Sequence, residues 1–138
     1  MLIEKAWAKL HGSYCMVRLG SPSMVFPHLT GSPSVRFDHN YVSNIDILWR
    51  TIADADRRNY VITACTFEND LEVTSTTEKK SSSGLSAHAY AVISCHEFKH
   101  RGARVKLLKL RNPWGSQEWT GAWSDQSDKW DEKTKKQL

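Results

Sequence analysis

The sequence predicts an α+β fold in which helices pack on antiparallel strands, and three features carry that expectation. Residues 43–57 repeat apolar side chains at helical spacing, and residues 59–67 concentrate β-branched and aromatic ones. Two further strand-like runs flank a short segment with a glycine to turn it. At 138 residues the chain has room for one ordinary domain, or one domain and part of a neighbour.

In chain order, Leu2, Ala6, Trp7 and Leu10 oppose Glu4, Lys5 and Lys9, which predicts an amphipathic helix over residues 2–11. It starts without an N-cap, as the tail of something longer would. Residues 20–33, "GSPSMVFPHLTGSP", hold three prolines and two glycines and are expected to be irregular chain at a subdomain boundary. Ser43 then offers a hydroxyl N-cap with Asp46 three positions on, and Ile45, Leu48, Trp49, Ile52 and Ala53 form one apolar stripe. "NYVITACTF" follows as a strand, and the polar residues 69–84 as a long surface loop. "AHAYAVISCHEF" and "ARVKLLKL", joined through "KHRG", predict a hairpin, after which Trp114, Trp119, Trp123 and Trp130 recur among Gly, Ser and Asp.

Composition narrows the function. Nineteen basic against fifteen acidic residues leave a net charge of only +4, and the basic clusters lack interleaved aromatics for base stacking, which speaks against a nucleic-acid interface. No apolar run approaches a membrane span, and the first residues are not signal-like. Cys15, Cys65 and Cys95 are an odd number at no metal-ligand spacing, as expected of reduced thiols in a cytoplasmic protein. Cys65 and Cys95 fall in core strands, where inert buried thiols are expected.

"HEFKH" matches the zinc-peptidase pattern through His96, Glu97 and His100, but that chemistry needs a helix to bring both histidines to one face. A strand context predicts instead that they straddle a hairpin end and point apart.

A different pair holds more promise. His88 opens the first hairpin strand and Asn112 closes the second, so antiparallel pairing brings both to one end of the sheet. An imidazole oriented by an amide oxygen is the base of a thiol peptidase; two surface polar residues at strand ends are the plain alternative. Pro113 stiffens the exit, and Trp114 is placed to shield the bond from water.

Around this pair, "GLSAHAYAV" and "VKLLKLRNPWGSQEWTGAWSDQSDKW" resemble the calpain family of calcium-dependent cysteine proteases. "EKAWAKLHGSY" and "LTG" are similar to the same family, with Trp7 where tyrosine is more usual, Ala87 where glycine commonly precedes the histidine, and "SPS" in place of a glycine-rich hinge.

The resemblance implies the second subdomain of a papain-like protease core, with antiparallel sheets in a small sandwich packed by helices. Residues 1–20 would be the tail of the first core subdomain, and 21–138 a second one truncated at its C-terminus. It makes His88 the general base, Asn112 its orienting partner and Trp114 the shield over their bond, and it matches Glu118 and Asp125 to part of a calcium site. The nucleophilic cysteine would belong to the upstream subdomain, so the isolated chain should be inactive while its parent cleaves protein substrates. A calpain-like interaction or regulatory module without activity is the competing expectation.

Overall fold

The structure, a computed structural model, describes residues 2–18, 20–66, 88–115 and 119–136. The expected loop at 69–84, together with Phe67, Ala87 and Glu118, lies outside the described residues. Two compact units are formed, Met1–Ser43 and Asn44–Leu138.

In the first unit, α1 spans Leu2–Leu10 and α2 spans Pro22–Thr30. The second helix corrects the expectation of irregular chain, because Pro22 and Gly31 fall where a helix tolerates them. Pro22 occupies the first turn, and Gly31 ends the helix at φ 72°, its N–H donating to the Pro27 carbonyl at 2.8 Å. Pro27 lies inside and cannot donate to the Ser23 carbonyl; the Ser34 hydroxyl does so instead, at 2.6 Å. Trp7 joins the two helices, its ring 4.3 Å from His11 and 5.6 Å from His28.

The second unit is built on α3, Ile45–Arg57, and three strands: β1 at Ile62–Cys65, β2 at Ala89–His100 and β3 at Ala103–Arg111. Asn44 rather than Ser43 caps α3, accepting the N–H groups of Asp46 and Ile47 at 2.9 and 3.2 Å. Ser43 stands one position too early. Of the expected apolar stripe, Leu48 is buried and Trp49, Ile52 and Ala53 partly so, while Ile45, in the first turn, is exposed.

Among the described residues the strands form one antiparallel sheet in the order β1-β2-β3. The hairpin turn is tighter than "KHRG" implied. Arg101 and Gly102 alone make it, with φ 50° and 84°, the positive values that a type I′ turn demands at both positions.

The sheet's two faces are covered differently. On one, Trp49 of α3 donates its indole N–H to Glu97 at 2.8 Å, and Lys106 reaches both Asp46 and the Trp49 ring. On the other, Phe98 and His100 meet Trp123 at 5.6 and 5.0 Å, and Trp123 meets Trp130 at 4.9 Å. Trp130 is anchored by its N–H to the Ser124 carbonyl. A short α4, Glu132–Lys135, closes this side through Thr134, which is 3% exposed and lies 3.3 Å from His100 Nδ1. Of the recurring tryptophans, Trp123 and Trp130 therefore form an aromatic layer on this face.

The pattern "HEFKH" is corrected in its geometry. His96 and His100 do not point apart: both lie within β2 with the parity of one face, about 13 Å along the strand from each other. They hydrogen-bond separately, His96 to Ser94 and His100 to Thr134. No cluster of three metal-ligating side chains occurs among the described residues.

Two stability measurements follow from these contacts. Asn44→Ala should lower the unfolding free energy by about 1 kcal/mol, read from the denaturant midpoint, and Asn44→Ser should recover most of it. Thr134's side chain and backbone hydrogen bonds hold the Asp131 carboxyl below the ordinary carboxylate range, with the charges of His100 and Arg101 adding to them. A lowered folded pKa means that the contribution is complete above the ordinary carboxylate pKa and disappears as pH falls through the folded value. Asp131→Asn should remove that part of the acid-side slope in a stability-versus-pH series.

Candidate active site

β2 contains one residue more than its pairing with β3 uses. Cys95 pairs with Leu108 and Ser94 with Lys109, but Val92 pairs with Leu110, leaving Ile93 as a β-bulge. Side chains alternate with period two, so the inserted residue changes which face the even-numbered residues of β2 use. On the turn side of the bulge, Phe98 lies opposite Val105 and faces Trp123. Beyond it, Val92 lies opposite Leu110, and Tyr90 and His88 fall on the face of Leu110 and Asn112.

His88 immediately precedes β2, and Asn112 immediately follows β3. The His88 backbone is held by Thr66 at the end of β1: its N–H donates to Thr66 Oγ1 at 3.2 Å, and its carbonyl accepts the Thr66 N–H at 2.9 Å. On the side-chain side, His88 Nε2 lies 3.0 Å from Asn112 Oδ1.

The amide's orientation follows from a second contact. Asn112 Oδ1 also accepts the backbone N–H of Trp114 at 3.0 Å, and a backbone N–H can only donate. The atom facing His88 is therefore the oxygen, Nε2 carries the proton, and Nδ1 keeps the lone pair of the neutral ring. Local sequence enforces this: in Asn112-Pro113-Trp114-Gly115 the Gly115 N–H bonds the Asn112 carbonyl at 3.3 Å, with proline at the second position of the turn. The same turn that ends β3 locks the asparagine side chain.

Two rings enclose the imidazole. Trp114 lies 4.5 Å away at 53°, and Tyr90, two residues along the strand, lies 4.5 Å away edge-on at 82°. His88 is 4% exposed, whereas Trp114, tilted against it, is 64% exposed. Thr66 and Tyr90 were not among the candidates named from the sequence. Tyr90 carried a usable signal, since i and i+2 share a strand face; Thr66 carried none, because its nearness to His88 arises only from β1–β2 pairing.

The other candidates separate from this cluster. Asp125 is exposed, and Glu118 is outside the described residues. The expectation of two buried core thiols is corrected for Cys65, which is exposed on the edge strand, on the face opposite Ala64 and Tyr90. Cys95 is partly buried, and burial followed by the nearby Asp56 charge pushes its thiol pKa up. It lies on the order of 20 Å along β2 from His88. Within this unit neither thiol is placed to give its proton to His88.

Comparison with known proteins adds to this geometry. A family model described as "Calpain family cysteine protease" matches residues 1–138. Mouse "Calpain-8" is 40% identical over 131 residues, covering 94% of this chain and 18% of the relative. The human "Calpain-1 catalytic subunit" is 35% identical over 129 residues, with 94% and 18% coverage. "Calpain clp-4" of Caenorhabditis elegans is 34% identical over 142 residues, with 99% and 19% coverage. The chain thus spans about a fifth of the length of these curated relatives. With the whole of it matched, the chain belongs to the calpain family of cysteine proteases.

Proposed function

We propose that this chain supplies the base half of a Cys-His-Asn site in an intracellular endopeptidase of calpain type, with the nucleophilic thiol contributed by an upstream core subdomain. The observation that carries the reading is the 3.0 Å bond from His88 to an asparagine oxygen whose orientation the Trp114 N–H fixes independently.

In that role His88 Nδ1 takes the thiol proton as the thiolate attacks the scissile carbonyl. The imidazolium then holds both protons, and the Nε2–H···Oδ1 bond, now charge-assisted, keeps the ring aimed. On collapse of the tetrahedral intermediate the C–N bond breaks, and Nδ1 returns its proton to the leaving amine, leaving an acyl-enzyme for water to hydrolyse. Trp114 and Tyr90 limit water around the bond, which strengthens it. Substrates are proteins, and the unit sits in the cytoplasm as one subdomain of a papain-like core, with the sandwich arrangement expected of it.

Calcium enters this reading only through the parent protein. Calcium takes six to eight oxygens, and of the two acids matched to its site only Asp125 is among the described residues.

The test uses the full-length protein. A thiol-directed covalent inhibitor, applied with and without calcium, should label it, and His88→Ala should lower kcat/KM for a peptide substrate by about 10²–10⁴-fold. Asn112→Ala should lower kcat more than it raises KM and displace the basic limb of the pH profile. The 138-residue chain alone should hydrolyse nothing. Failure of the full-length protein to label at any calcium level would exclude the peptidase and leave the interaction or regulatory module.

A further inference from the structure

His88 reaches Asn112 only because β2 changes register at Ile93. Continuing the turn-side pairing without the bulge, Asn112 would lie opposite Ala91, and His88 would share the face of Phe98 and His100. The bulge disrupts the β2–β3 ladder at Ile93, and Cys95 keeps its place opposite Leu108. Here β1 pairs with β2 only as far as Val92, and the Cys95 N–H is taken by the Asp56 carboxylate of α3 at 2.9 Å.

We propose that Asp56 is a positioning residue for His88: its bond to the Cys95 amide holds the bulge that turns His88 to the face of Asn112. The consequence for catalysis rests on the general-base reading above; the geometric role does not.

The placement of Asp56 supports this assignment. A carboxylate in the last turn of a helix opposes the helix dipole and needs a compensating partner. Its neighbour Asp54 has two, Arg57 at 3.0 Å and Arg58 at 2.8 Å. Asp56 instead gives its carboxylate to a strand amide 39 residues away in sequence, two positions past the inserted residue. One carboxylate therefore ties the end of α3 to the point where β2 changes face.

The experiment is heteronuclear NMR on the 15N-labelled 138-residue chain and three variants, reading the His88 tautomer, exchange of its Nε2 proton and amide exchange along β2. The native chain should show the Nε2–H tautomer. Asp56→Ala should raise exchange at Cys95 and at the His88 ring proton by about tenfold each, the scale of one lost hydrogen bond to a charged group, and mix the tautomers. Protection from Phe98 to Leu107 should persist. Asp56→Asn retains an acceptor oxygen and should restore the native signature. Deleting Ile93 should abolish the signature with Asp56 still present.

A freed Cys95 amide with an unchanged His88 tautomer in Asp56→Ala would overturn the proposal. So would loss of the tautomer in a folded Asp56→Asn, which also decides the case if Asp56→Ala does not fold. These signals report the His88–Asn112 pair directly. An inactive parent protein with the pair intact would overturn the peptidase reading alone.

Discussion

Register between β2 and β3 is the constraint on which this unit depends. Antiparallel pairing brings the start of one strand beside the end of the next, so residues 24 positions apart hydrogen-bond across a hairpin end. Pairing alone is insufficient, because a strand offers two faces and a one-residue slip exchanges them. The bulge at Ile93 selects the face, the Arg101-Gly102 turn sets the count from the other end, and Asp56 ties the helix to the point of change. A compact turn and one inserted residue together decide where the imidazole goes.

The same sheet separates two kinds of packing. Its helix side is held by a mixed polar and aromatic set, with Trp49 bridging to Glu97 and under Lys106, and Lys106 paired with Asp46; a single ion pair to an exposed carboxylate adds little stability. Its other side is closed by Trp123 and Trp130 against Phe98 and His100, which bury large rings in a segment otherwise composed of turns. Trp114 departs from that pattern, since it is mostly exposed while touching His88. A large apolar ring left mostly exposed beside a polar pair is poor use of burial for stability.

Periodicity located α1, α3 and the hairpin well, because amphipathic helices and alternating strands write their burial into neighbouring residues. Counted alone, the prolines and glycines of residues 20–33 suggest irregular chain; placed at a first turn and just past a last turn, as Pro22 and Gly31 are, they mark a helix as surely as they break one. The N-cap of α3 slipped by one residue because Ser43 and Asn44 are both capable acceptors, and only backbone geometry chooses between them. A strand rich in β-branched residues suggests an interior Cys65, yet among the described residues β1 is the outer strand of the sheet and Cys65 is exposed.

For the site, sequence by itself determined the chemistry available: a histidine and an asparagine at the two ends of a hairpin, and a proline-tryptophan-glycine turn that could lock the amide. These are local properties, carried by residue type and by spacing of a few positions. Tertiary structure decided which nitrogen carries the proton, which rings enclose it, and that His88 faces Asn112 at all. That facing depends on pairing between strands and, in the role proposed for Asp56, on a helix carboxylate 39 residues away from the amide it binds, and no local pattern encodes a contact of that range.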